Sequence, residues 1–251
     1  MNLLILAAGK GSRLYSQIKN NKCLIKVNKE QSLLTKIIND SKKAGIKKIF
    51  IVVGFNKEKI KNKLKKYKDI KFIYNKNYNK TDMVFSMMLG LKYINDDTIV
   101  TYSDIFYDQK VLNKLLKVSK QKIILPIKKN WEEVWTVRDK LTINDAEHLI
   151  VKRNKIFQIG KKIKKNENSK YQFMGLIYFP QNLLKSLIFF YNLLKNQKIQ
   201  TTNFLNFLIK KKINIHPLIL SNYWYEFDDS DDIDNFNNYA KIKKIKQNYY
   251  I

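Results

Sequence analysis

The chain is poor in the residues that staple, punctuate or anchor a fold. A single cysteine, Cys23, in 251 residues excludes an internal disulfide and fits a reducing compartment, so a cytoplasmic protein is expected. Three prolines and seven glycines leave little room for a linker between domains. No apolar run is long enough to span a bilayer; the longest candidate, Leu183 to Leu194, is interrupted by Lys185, Ser186 and Asn192. Apolar sequence follows Met1 almost directly, without the charged region and long apolar stretch of a secretory leader. His148 and His216 have no spacing that suggests a metal or a triad, and Ser12 sits in no GxSxG elbow.

Arginine is scarce: of 49 cationic residues only Arg13, Arg138 and Arg153 are arginines. The net charge of +28 invites a nucleic-acid partner. Base readout and tight phosphate forks favour arginine, however, and the lysines are spread over the whole length. Abundant Lys, Asn and Ile fits the codon bias of an AT-rich genome, so nucleic acid is not the expected partner. A basic surface still helps attract an anionic nucleotide. The acids are the informative minority. Of 21, six fall between Glu226 and Asp234, a concentration that suits a metal site or a helix N-terminus.

Against this background residues 3–14, LLILAAGKGSRL, stand out. Leu3 to Leu6 read as a buried parallel strand. Ala7 and Ala8 are small enough for a nucleotide to lie against the backbone. Gly9 and Gly11 permit positive φ and close approach. Free N–H groups in such a turn form an anion-binding concavity, and Arg13 adds donors suited to phosphate oxygens. No GK[ST] closes the loop, and only two glycines are present, so neither a P-loop nor a dinucleotide fingerprint applies.

The first half alternates strand and helix signals. Strands are expected at 3–6, 48–53, 71–74, 98–102 and 122–126, with helices at 33–44, 57–67, 84–93 and 110–118. This alternation predicts an α/β fold, a Rossmann-like mostly parallel sheet flanked by helices, with ligands beyond the carboxyl ends of the strands. After residue 126 comes an irregular stretch with Trp131, Trp135, Arg138, Asp145 and Glu147. A hairpin then turns at Arg153-Asn154, one strand covers 170–179 with Gly175 in its middle, and helices cover 183–195 and 202–211. Strands 213–218 and 223–227 precede a closing helix at 231–245. The chain reads as one unit, with a nucleotide-binding half (1–126) and an acceptor-binding half (127–251) carrying an inserted substrate-facing β section.

Asp104 ends the strand-like run IVTYSD, where a carboxylate faces the ligand crevice. Carboxylates are the usual protein ligands of Mg²⁺ bound with substrate phosphates. Asp228, in WYEFDDSDD, is a second candidate ligand, while Asp231 and Asp232 suit the start of a helix. Lys22 and Lys26 fall on an expected extended segment. Lys161 and Lys162 follow the strand IFQIG and could meet a second substrate's phosphate. Trp131, Trp135 and Arg138 either shape an organic pocket or pack the core.

Together these residues resemble the nucleotidyltransferases that join an NTP to a phosphorylated small molecule. LAAGKGSRL followed by KCLIKV is similar to their LAAGxGxRL and PK-type segments, with Asn21 where proline is usual. SDI at 103–105 and WYEFDD resemble their two metal-binding elements. NYNKTDMVFSM, NWEEVWTVR, DAEHL, IGKK and YQFMGLIYF resemble the cytidylyltransferase branch acting on phosphocholine, phosphoglutamine and, more distantly, aminoethylphosphonate. In that branch asparagine is common at the place of Asp82.

The resemblance implies transfer of a cytidylyl group from CTP with release of pyrophosphate, and Mg²⁺ on Asp104 and Asp228. Arg13 and Lys22 would be catalytic. Ala7, Ala8, Gly9, Gly11, Ser12, Asp82 and Ser103 would bind the nucleotide. Trp131, Trp135, Arg138, Glu147, Lys161 and Gly175 would bind the acceptor. A sugar-1-phosphate uridylyl- or thymidylyltransferase and a basic nucleic-acid-binding protein are the alternatives. A homo-oligomer is compatible with the sequence.

Overall fold

A computed structural model describes residues 1–12, 20–118, 121–138, 146–163, 169–243 and 245. Arg13 and Asp145 lie outside the described residues. Strand β1 (Asn2–Ala7) is buried along its whole length. It pairs in parallel with β2 (Lys48–Val53) on one side and β4 (Thr98–Tyr102) on the other, and β3 (Ile70–Tyr74) extends the sheet beyond β2 in parallel. Its side chains alternate between two cores. Leu3, Ile5 and Ala7 face one apolar cluster; Leu4, Leu6 and Ala8 face another. An unbroken apolar run is therefore required, because helices cover both faces. Each fully buried leucine contributes about 1.5–3 kcal/mol.

The first cluster is covered by α1 (Leu33–Lys43), whose entry is closed by a reciprocal Ser32–Thr35 capping box. Such a cap is worth about 1 kcal/mol. Helices α2 (Lys57–Lys63), α3 (Met83–Leu91) and α4 (Gln109–Leu115) fill the other gaps where the periodicity placed them. On α3, a Cβ at Gly90 would lie 2.6 Å from a methyl of Leu4, so a glycine lets the helix rest on β1.

The sheet runs on into the second half of the chain. Its order is β11-β6-β10-β4-β1-β2-β3, where β6 is Ile123–Lys129, β10 is Leu176–Phe179 and β11 is Ile215–Leu220. Strand β10 is antiparallel to both β4 and β6, and β11 is parallel to β6. The architecture is mixed, mostly parallel and helix-flanked.

Four local expectations change. The 170–179 segment is two strands: β9 (Tyr171–Phe173) pairs with β6, and β10 crosses to β4. Gly175, at φ +77°, breaks the pleat where the chain changes partner. The Lys22 segment is a 3₁₀ turn (Lys22–Leu24), closed by bonds from the Leu24 and Ile25 N–H groups to Asn21 and Lys22. Part of the irregular stretch forms a short helix, α5 (Glu132–Trp135). Finally, β5 (Ile105–Tyr107) and β12 (Trp224–Glu226) form an antiparallel ribbon apart from the main sheet, and local pattern alone gave no sign of β5. The hairpin of β7 (Glu147–Lys152) and β8 (Lys155–Lys162) turns as expected, with Arg153 and Asn154 both at positive φ. Helices α6 (Leu184–Asn192), α7 (Thr201–Lys210) and α8 (Asp231–Ile242) complete the described chain.

Candidate active site

The carboxyl ends of β1 and β4 open into a cavity of about 340 Å³. Ala7, Ala8, Gly9 and Gly11 form one wall, and Ser103 and Asp104 another. At Gly9 an added Cβ would meet nothing within 4 Å, so the loop there borders open space. Its φ is ordinary; positive φ is needed only at Gly11, at +58°. A Cβ at Gly11 would also lie 2.7 Å from Cγ of Lys22, so this glycine lets the lysine stem pass. Ser12 is exposed and lines neither this cavity nor the next.

Lys22 is anchored from the side. The Asn21 side-chain amide donates to the Phe55 carbonyl at 3.1 Å, and the Phe55 N–H donates to the Ala8 carbonyl at 3.0 Å. An asparagine thus ties the Lys22 turn to the loop leaving β1. Its Oδ1 is buried without a partner among the described residues, beside the cavity.

The β5–β12 ribbon joins the distant carboxylates. Ile105 sits opposite Glu226, and the Phe227 N–H donates to the Asp104 carbonyl at 3.0 Å. Asp104 and Asp228 therefore emerge side by side. The Lys22 ammonium lies 2.9 Å from Asp228 Oδ1 and 3.7 Å from Asp104 Oδ2. Burial disfavours the ammonium, but Asp104 and Asp228 outweigh it and raise its pKa. Burial also raises Asp104; the Lys22 charge opposes this and the Asp228 charge adds to it. Glu226 is pushed well above the usual carboxylate range by burial, then by Asp228 and Asp104. Residues 226 and 228 share a face at the strand's period of two, and that parity was the signal for Glu226 that the sequence reading missed.

Among the described residues no three His, Cys, Asp or Glu side chains converge as a closed metal site. Two carboxylate ligands beside a cavity nonetheless fit a hard cation that completes its shell with substrate oxygens and water. Asp104, Asp228 and Glu226 repel one another, a repulsion that such a cation would relieve.

A second cavity of about 870 Å³ shares Asp82, Met83, Tyr102, Glu226 and Asp228 with the first. Glu147 and Gly175 line it, as do Trp135 and Arg138. Lys161 does not; Lys162 does, because a bulge at Gly160 shifts the alternation of β8 by one. Trp131 lines neither cavity. Its indole N–H donates to the Ser169 carbonyl at 2.7 Å, and its ring meets Trp135 edge-on inside the core. Trp135 stacks on Trp224 and carries the Arg138 guanidinium.

Arg138 is a strut as well as a wall. Its Nε and Nη2 donate to the two oxygens of Asp232 at 2.6 and 2.8 Å, and Nη2 reaches Asp228 at 3.2 Å. Asp232 Oδ2 also accepts the N–H groups of Asp228 and Asp229, at 2.6 and 3.2 Å. Asp232 was expected only to start the closing helix. It is buried, and it holds the turn that carries Asp228. Ser230 holds the N-cap position without a side-chain cap bond, and Asp229 Oδ1, one residue earlier, accepts the Asp232 N–H at 3.2 Å.

Comparison with known proteins gives the family. Residues 3–222 match the family model described as a MobA-like NTP transferase domain. CTP:phosphoglutamine cytidylyltransferase of Campylobacter jejuni is 33% identical over 244 residues, 91% of this chain and 96% of that protein. The inositol-1-phosphate CTP transferase of T. maritima superposes with a TM-score of 0.76 at 19% identity, covering 100% of this chain and 98% of that one. CTP:phosphocholine cytidylyltransferase of Streptococcus pneumoniae gives 0.72 at 19% identity, covering 97% and 98%. The two structural likenesses speak for the fold. With its glycine loop, its Lys22–Asp104–Asp228 cluster and the family match over most of its length, the chain belongs to the MobA-like NTP transferase family and is a nucleotidyltransferase.

Proposed function

We propose that this enzyme transfers a cytidylyl group from CTP to a small phosphorylated or phosphonate acceptor and releases pyrophosphate. The observation that carries the reading is the shared wall of the two cavities, at which Asp228 and Glu226 face both. A nucleotide in the smaller cavity and an acceptor in the larger would meet there. The resemblance to cytidylyltransferases along nearly the whole of a relative's length supports CTP as the donor.

In this reading an acceptor phosphate oxygen attacks the α-phosphorus of CTP. A new P–O bond forms as the bond to the β-phosphate breaks, and the electron pair leaves with pyrophosphate. No enzyme nucleophile is required, so catalysis rests on positioning and charge neutralisation. The N–H groups of the 9–12 loop, with Arg13, hold the β- and γ-phosphates. Lys22 stabilises the charge that builds at the α-phosphate. Asp104 and Asp228 would hold Mg²⁺, which supplies charge neutralisation between the two phosphates when bound. Asp82 and Ser103 border the nucleotide, and Glu147, Arg138, Trp135 and Gly175 border the acceptor. A buried unpaired Cys23 supports a reducing, cytoplasmic setting.

The test is pyrophosphate release across a grid of NTPs and phosphorylated acceptors, with Mg²⁺ and with chelator. CTP-specific release that needs both an acceptor and Mg²⁺ is expected. Preference for UTP or dTTP with a sugar 1-phosphate would replace this reading, and so would tight, salt-sensitive duplex binding without turnover.

A further inference from the structure

Cytosine and uracil differ along one edge. Cytosine carries an acceptor at N3 and an amine at C4; uracil carries an N–H at N3 and a carbonyl at C4. A site that tells CTP from UTP needs a group of fixed polarity against that edge. A serine hydroxyl both donates and accepts, so it discriminates only where something else fixes its direction.

The smaller cavity has two kinds of wall. Lys22, Asp104 and the glycine loop suit phosphates, while Tyr78, Thr81, Met83 and Ser86 are uncharged and suit a base. The second wall abuts the loop: a Cβ at Gly54 would lie 2.6 Å from Cβ of Tyr78 and 2.7 Å from the Ala8 carbonyl oxygen.

Asn75, directly after β3, governs this wall from behind. It is 1% exposed and does not line the cavity. Its N–H donates to the Val53 carbonyl at 2.9 Å, which continues the β2–β3 ladder. Its Oδ1 accepts the Asn77 N–H at 2.9 Å. A backbone N–H can only donate, so this bond fixes which end of the amide is nitrogen. That end spends both protons on hydroxyls, at 3.1 Å to Thr81 Oγ1 and 3.0 Å to Ser86 Oγ. Thr81 passes its own proton to the Asn77 carbonyl at 2.9 Å.

Ser86 is the exception. Its oxygen accepts from Asn75, and its proton has no acceptor among the described residues. Ser41 on α1 shows the usual outcome for a helical serine: its hydroxyl donates to the Ile37 carbonyl one turn back, at 2.6 Å. Ser86 makes no such bond, is 5% exposed and lines the cavity. A ligand acceptor completes it. A ligand N–H placed there would leave the proton buried and unbonded. Asp82, one helical turn earlier, lines the same wall, and a carboxylate accepts, as the 4-amino group of cytosine requires.

Resting on the cytidylyl-transfer reading, we infer that Ser86 donates to N3 of cytosine and that Asn75 is the positioning residue that makes the hydroxyl a donor. Selection of CTP over UTP then depends on a side chain that does not reach the nucleotide.

The test measures Kd for CTP and for UTP by calorimetry with Mg²⁺ and no acceptor, and KM and kcat with an acceptor, in wild type, Ser86→Ala and Asn75→Asp. Ser86→Ala removes the donor and should reduce the preference for CTP about tenfold. In Asn75→Asp the new carboxylate keeps the Asn77 bond but can only accept. Ser86 then turns its proton away from the cavity, and the preference should fall about ten- to hundredfold. Both losses should fall on Kd and KM for CTP, with acceptor KM unchanged. Equal losses for CTP and UTP would make the network merely structural and overturn the inference; should Asn75→Asp fail to fold, Ser86→Ala decides it. A wild type that binds UTP as tightly as CTP would overturn the inference together with CTP as donor. Selective CTP binding that the variants lose, with no pyrophosphate release from any acceptor, would uphold the inference and overturn the transfer reading.

Discussion

The smaller cavity is lined from five stretches, two of them the carboxyl ends of β1 and β4, and the larger from eight stretches between 82 and 228. The smaller is charged and tied together: Lys22 pairs with both Asp104 and Asp228. The larger adds neutral polar side chains, Gln172, Gln200, Thr201 and Thr202, to its charged ones. A nucleotide's phosphates need fixed charge, which strand ends and a glycine loop supply from backbone geometry. An acceptor's organic end needs shape and hydrogen bonds, which only packed side chains supply. The two cavities share Asp228, which Arg138 and Asp232 brace.

The contrast can be broken in several places. Asp104→Asn should cost the most, lowering turnover on the order of 10²–10³-fold while circular dichroism shows an intact fold. Full activity with CTP and Mg²⁺ would remove Asp104 from the site. Asp232→Ala leaves the buried Arg138 without its forked partner and should cost about 3–5 kcal/mol in urea unfolding. Unchanged stability would make Arg138 an acceptor ligand rather than a strut. Lys22→Ala should lower single-turnover rate about 10²-fold, with a smaller change in CTP affinity. An unchanged maximal rate would exclude it from the chemical step.

Trp131→Phe removes the indole bond to Ser169 and should cost about 1–3 kcal/mol. Acceptor KM should stay where it was; a large rise would return Trp131 to the acceptor wall. The smallest effect concerns pH. Burial raises the pKa of Glu147, so its protonated form fits the fold better. Its stabilising contribution is complete below the unfolded value of about 4.3 and is lost as pH rises through the folded value. Wild type should therefore lose stability relative to Glu147→Gln as pH rises above about 4.3 through the raised folded value, in matched urea titrations.

Much of the nucleotide side was legible because its signals are local. LLILAAGKG is a strand and a loop within nine residues, and a carboxylate after β4 has a known direction. The Arg153-Asn154 hairpin was legible for the same reason. Glu226 was within reach through strand parity but was passed over among six crowded acids. Lys161 and Lys162 were both named from their place after β8's apolar run, and only the bulge at Gly160 decides that Lys162 lines the larger cavity. Trp131 and Trp135 fit a cage or a core equally well in sequence; the edge-on contact with Trp135 and the indole bond to Ser169 chose the core for Trp131, while Trp135 stacks on Trp224 and still lines the larger cavity.

The sequence by itself determined the layered α/β sheet and the glycine loop, which rest on periodicity and spacing within short windows, and it carried the motifs of the cytidylyltransferase resemblance along most of its length. Tertiary structure alone decided that Asp232 braces Asp228, that an asparagine anchors Lys22, and that Gln172 and Thr201 line one cavity. Those relations join residues that are neighbours only after β5 pairs with β12 and α7 docks on β8. A chain-local pattern carries no record of such closures.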